Sequence, residues 1–257
     1  MSEGERVKSL IGAGTEITGG VVGGLLGFFI AGPAGAVLGG AGGPATTFAL
    51  KKVALEISSR LLAHREEVRV GATLWYVVEK IQTNLDSGRS LREDGFFTQG
   101  TDKRSSADEI LEAGMLAAQR EYEEKKLRYY GNLIANIAFD TTFSKTQANH
   151  LIKTAQGLSW RQVCILALAE KKGIFRLRNE PYRTKPTFTQ EQIFLLQEMY
   201  DLYNKNIITF GEAALLGMTD MQPSSLSIEG VGKYLYNMMV LSEISDDEIR
   251  DIAMLLS

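Results

Sequence analysis

One cysteine, two histidines and five prolines in 257 residues exclude several kinds of protein. Cys164 stands alone in the apolar run QVCILALA, where a thiol is inert packing. There is accordingly no disulfide framework and no CxxC metal or redox pair, and a reducing cytoplasm is the expected setting. His64 sits among Arg65, Glu66 and Glu67, and His150 in QANHLIK; neither has a second histidine four residues on, so no helical zinc pair is formed. An excess of positive charge is also missing. The chain carries 28 Lys+Arg against 31 Asp+Glu, a net charge of −3, and so lacks the dense basic face that phosphate neutralisation requires. Neither a Gly-x-Ser-x-Gly elbow nor a GK[ST] phosphate loop occurs. Asp246, Asp247, Glu248 and Asp251 crowd together, but at a helix start, where acids complement the helix dipole. No catalytic residue, cofactor or metal is expected, and the chain does not read as an enzyme.

The most informative absence is local. Between Glu16 and Lys51 there are 34 residues without a charge, eleven of them glycine. As one helix they would reach about 51 Å, against a hydrocarbon core of roughly 30 Å. Gly32 and Pro33 supply a break, because proline removes an amide donor and restricts the residue before it. Two arms result, residues 17–31 and 34–50, each about 22 to 26 Å long as a helix. Gly19, Gly23, Gly27, Ala31, Gly35, Gly39 and Gly43 recur every four residues, so each arm carries a ridge of small residues along one helical face. In water, glycines within helices cost about 1 kcal/mol each relative to alanine, so a specific packing partner must compensate. In lipid, small-residue ridges are a main source of helix association.

Two readings of this segment stand: a membrane-inserting glycine-zipper hairpin, or a hairpin buried inside a soluble protein. A third fails. Gly40, Gly42 and Ala45 satisfy G-x-G-x-x-A, but the sequence stays helical where a second strand should end in a ribose-binding acid. The first sixteen residues carry three acids and no basic n-region, so the apolar stretch is expected to be retained rather than cleaved. Arg6 and Lys8 precede it, and Lys51, Lys52 and Arg60 follow it. Both ends are thus expected on the cytosolic side, with Lys51, Lys52 and Arg60 at the membrane surface.

Downstream, the period remains helical to about Leu85, with a bend at Gly71 or HREEVR. DSGRSLREDGFFTQGTDKRSS, residues 86–106, reads as a linker in which Phe96 and Phe97 dock. Capping boxes are predicted at Ser106/Glu109, Ser144/Gln147, Ser159/Gln162, Thr189/Gln192 and Ser245/Glu248. The first opens a long helix to about Phe139, with QREYEEKKLR as its solvated face. Gly157 and Gly173 are placed as helix-terminating glycines. IITF and LSI are the strand candidates. The expectation is therefore an all-α chain: a glycine-zipper hairpin (1–50), a helical stalk and linker (51–105), and a helical body (106–257) ending in a small winged-helix-like domain. The candidate recognition helix of that domain, IEGVGKYLYNMMV, holds one lysine, and no nucleic acid is expected.

The run EAGMLAAQREYEEKKLRYYGNLIANIAFD, followed by the helix opening at LSWRQVCILAL, resembles the Abi-alpha type of bacterial abortive-infection proteins. In that family a small-residue helix leads into an acidic-basic stretch, a YY/ANLLAN-like segment and then a helix beginning at Leu-Ser. The match spans roughly residues 107 to 170 and contains no catalytic motif to carry over. The resemblance implies a role in phage defence, in which the cell is halted or killed before the phage matures. Combined with the hairpin, the expectation is an effector that oligomerises in the bacterial inner membrane. Its partners would be membrane lipid, copies of itself and a sensor protein from the same operon. The rival expectation is a soluble helical adaptor whose hairpin is buried core or interface.

Overall fold

The structure, a computed structural model, describes residues 48–49, 52–53, 56, 62–99, 104–185, 187–211 and 214–257. These are mainly helical, with eight α-helices and one two-stranded sheet among them. The chain divides into two units, one ending at Gln156 and the other spanning Gly157–Ser257. The boundary expected at 105/106 thus falls inside the first unit.

The first unit contains α1 (His64–Asp86), α2 (Ser106–Gln119), α3 (Leu127–Ile137) and α4 (Lys145–Gln156). Helix α3 packs against the other three and is buried along almost its whole length, from Tyr129 to Ile137. On α1, Val70, Leu74, Val77, Val78 and Ile81 follow the helical period and form a core with Met115 of α2 and Ile134 of α3. The backbones of α1 and α3 come close because position 131 is glycine: a Cβ there would stand 2.4 Å from Cβ of Tyr76 and 3.0 Å from its carbonyl carbon. Neither Gly71 nor HREEVR interrupts the helix, since both lie inside α1; Leu62 and Ala63, just before it, are not helical. Glu66 accepts the Ala63 amide at 2.9 Å, and that bond holds its carboxyl below the usual carboxylate range.

Three expectations need correction here. The helix from 106 to about 139 is interrupted after Gln119 and resumes through a 3₁₀ turn at Glu124–Lys126. Its charged stretch is a solvated face only in part: Arg120, Glu123, Lys125 and Arg128 are exposed, whereas Glu121 and Lys126 are 8% and 1% exposed. The α2 cap sits one residue earlier than predicted. Ser105 Oγ accepts the Asp108 amide at 3.0 Å, and Asp108 accepts the Ser105 amide at 3.1 Å. Glu109 faces Lys145 instead, at 2.9 Å.

In the second unit α5 (Trp160–Lys171) is the central element, flanked by α6 (Gln190–Asn204), α7 (Val231–Met239) and α8 (Asp246–Leu255). Val163 through Ala169 of α5 are all buried, the pattern of a helix apolar on every side. The predicted boxes at Ser159/Gln162 and Thr189/Gln192 are formed, as is Ser144/Gln147 before α4. IITF and LSI supply β1 (Ile208–Phe210) and β2 (Leu226–Ile228), antiparallel with Thr209 opposite Ser227. Gly232 opens α7 so close to β1 that a Cβ would meet the Ile207 carbonyl oxygen at 2.2 Å. Neither Gly157 nor Gly173 takes the left-handed conformation; α7 ends instead on Val240 at φ 58, an uncommon place for a β-branched residue.

Candidate functional site

The small-residue ridge predicted at Gly19, Gly23, Gly27, Ala31, Gly35, Gly39 and Gly43, and the basic residues Lys51 and Arg60, lie outside the described residues. Among the described residues no helix is long and apolar enough to cross a membrane. Lys52 is described, and its ammonium lies 2.7 Å from Asp108, the buried carboxylate that also caps α2. A charged group assigned to a lipid surface therefore holds the entry of the chain against the first turn of α2. One residue on, Val53 belongs to the core formed by α1, α2 and α3.

Beside this entry lies an apolar pocket of about 350 Å³, including the open space at its mouth. Ala49 forms one side. Val77 and Ile81 of α1, Ala107, Ile110 and Leu111 of α2, Ile134 of α3 and the following Ala138 form the others, closed by Phe96 and Phe97. None of these described side chains titrates, and the surface they form suits apolar matter.

The two phenylalanines are held there by Arg92, which is buried although it lies in a turn-rich stretch. Its amide donates to the Ala138 carbonyl at 3.0 Å, and its guanidinium to the Ile137 and Phe143 carbonyls at 3.4 and 3.0 Å. The cation thereby serves the last carbonyls of α3, where the helix dipole favours positive charge. Asp94 pairs with the same guanidinium, and that hydrogen bonding keeps its carboxyl below the usual range. The guanidinium also stacks over Phe96 at 4.4 Å, and Ala107 donates its amide to the Phe96 carbonyl at 3.0 Å. The docking predicted for Phe96 and Phe97 is thus present, whereas Arg92 gave no local signal, because its acceptors lie 45 and 51 residues away.

The break between α2 and α3 is closed by a second buried network. Glu121 Oε2 accepts from Lys126 Nζ and from the Tyr130 hydroxyl, both at 2.6 Å, and Glu121 Oε1 accepts the Glu123 amide at 2.9 Å. Burial alone would push the Glu121 carboxyl up; the three hydrogen bonds outweigh it and leave the group below its ordinary value. The Tyr130 hydroxyl is pushed up by burial and by the carboxylate it serves. Arg65 and Arg69 of α1 both meet Glu124 in the next turn, Arg69 at 3.1 Å. With Glu121 occupied on both oxygens, this arrangement acts as a clip between helices rather than as an acid–base site.

The candidate catalytic groups do not converge. Among the described residues no group of three or more His, Cys, Asp or Glu is placed to hold a metal ion. His64 and His150 are exposed, Cys164 is buried, and Asp246 pairs with Lys171 at 3.0 Å. The residues that carry the family resemblance, YYGNLIANI and VCILALA, are the buried faces of α3 and α5, positions of packing. No family model, curated protein or solved structure matches the chain.

Proposed function

We propose that the chain is a membrane-active effector of bacterial anti-phage defence, oligomerising through residues 17–50 to breach the inner membrane. The observation that carries this reading is the 34-residue uncharged stretch with a small residue at every fourth position, broken once at Gly32-Pro33. In lipid such arms satisfy their own backbone groups and pack through their small-residue faces. The Abi-alpha resemblance supplies the biological setting. Lipid, further copies of the chain and a sensor protein from the same operon are the partners of this reading. In this reading the second unit is a small winged-helix-like domain that contacts protein rather than nucleic acid, since α7 carries Lys233 as its one cation.

Dye uptake by cells expressing the full chain tests the proposal. Uptake that disappears on deletion of residues 17–50 supports it, and equal uptake with the deletion moves the activity elsewhere. A specific observation favours the adaptor reading as well: Ala49, near the end of the apolar segment, and Val53, just beyond it, are buried in protein at 5% and 1% exposure. Fractionation without detergent separates the two. Full-length protein that stays in the supernatant, with and without phage infection, would leave the adaptor reading.

A further inference from the structure

We propose that the apolar pocket of the first unit is the resting dock of the chain's own first apolar arm, with Ile17 and Val21 as the side chains that enter it. The inference takes from the proposed function the fold at Gly32-Pro33 but not insertion into lipid. Three observations commit the pocket to this occupant. The lining is apolar throughout, and small residues, Ala49, Ala107 and Ala138, leave the space that larger side chains would fill. The chain itself arrives at the mouth, since Ala49 is part of the wall and the Lys52–Asp108 pair anchors the next turn. The lengths also agree: Ile17 and Ala49 each lie sixteen residues from Pro33. An arm returning at Pro33 therefore comes level with Ala49 at Ile17, after about 24 Å of helix in each direction. Val21, one turn further on, lies on the same face as Ile17. Tethering favours this occupant over a free ligand of equal intrinsic affinity, because a linked segment meets its site at an effective concentration set by the linker.

The pocket would then shelter the apolar arm until a bilayer or partner draws it out, so the docked state is the resting form of the same segment. The test uses the full chain with cysteine pairs Ile17→Cys/Phe97→Cys and, as the control at the hairpin tip, Phe28→Cys/Phe97→Cys. Cys164 is buried, and a Cys164→Ala version of each pair checks that it takes no part. Under mild oxidation without lipid, the Ile17 pair should close within one chain about tenfold faster than the tip pair, as tethered proximity requires. Equal rates, a faster tip pair, or crosslinks only between chains overturn the docking. A parallel measurement needs no cysteine. Ala107→Phe fills the pocket from α2, and it should raise protease cleavage within residues 17–47 without changing cleavage elsewhere; unchanged cleavage there speaks against docking. Adding vesicles of anionic phospholipid separates this proposal from the membrane reading. If the Ile17 crosslink forms without lipid and vesicles do not suppress it, the dock stands and insertion fails.

Discussion

Each unit is built around one helix buried on nearly every side, and the two helices differ in kind. Helix α5 of the second unit presents Val163, Cys164, Ile165, Leu166, Ala167, Leu168 and Ala169 to its neighbours, with Gln162 as its buried polar side chain. Helix α3 of the first unit buries Tyr130, Asn132 and Asn136 beside its aliphatic residues, and Lys126 precedes it. Asn136 Oδ1 accepts from Asn84 at 2.9 Å and from Arg89 at 3.2 Å, so this polar core reaches both α1 and the turn after it. In the second unit ion pairs such as Arg161–Glu198, Lys171–Asp246 and Arg250–Asp247 lie at the perimeter. An aliphatic core gains from burial alone and tolerates repacking, whereas buried charges hold one geometry and fail when one partner is lost. The unit with the more specified core is also the one with the open apolar pocket. Its helices are held in place by polar clips, so the space between them need not be filled for the unit to persist.

The largest expected effect breaks this contrast at its strongest point. Lys126→Met leaves Glu121 buried without its cation and should cost the first unit about 3–5 kcal/mol, while the second unit unfolds as before. Hydrogen exchange resolved by residue reads the two units separately, and equal losses in both would erase the distinction. Acid should act in the same direction. The folded Glu121 carboxyl lies below its ordinary value, so its stabilisation is complete above the unfolded pKa of about 4.3 and is lost as pH falls through the lowered folded value. Exchange in α3 should therefore rise below that point before exchange in α5 does, and a simultaneous rise would remove Glu121 from the explanation.

Next in size is Gly131→Ala. Its Cβ would meet Tyr76 backbone, which cannot move without shifting α1, and a loss of about 1–3 kcal/mol is expected. Gly114→Ala should cost less, because the obstructing atom is the flexible end of Ile134. Denaturant midpoints of the two variants check the order. In the second unit, Val240→Gly should stabilise by about 0.5–1 kcal/mol, since the left-handed residue ending α7 is better served by glycine. A lower Tm would mean that the Val240 side chain contributes more than its backbone strain costs. The smallest effect belongs to the pair whose cation is exposed: Arg183→Ala should leave the denaturation midpoint nearly unchanged, read from the same curves.

These contrasts mark how far the sequence alone can be read. Ser159/Gln162 and Thr189/Gln192 were legible because a capping box closes over four consecutive residues. IITF and LSI were legible as alternating apolar runs between turn formers, and Phe96 as a large apolar side chain stranded in a polar stretch. The adjacent boxes at Ser105 and Ser106 were not separable by pattern, since both satisfy the same spacing. Lys52, 56 residues away, settles the matter by pairing with Asp108. The charged run QREYEEKKLR read as surface because its composition is that of a solvated helix; the burial of Glu121 and Lys126 within it follows from the 3₁₀ turn that aims Lys126 and Tyr130 at one carboxylate.

The uncharged glycine-rich segment and its four-residue period are properties of the sequence alone, as are most helix starts, because each depends on residues close together in the chain. The pocket beside Ala49, the placement of Arg92 over Phe96 and the choice of Asp108 as the α2 cap arise only in the tertiary structure. Each requires groups far apart in the chain to meet, 45 and 51 residues for Arg92 and 56 for Asp108, and no local pattern encodes which distant partner will remove a charge from water.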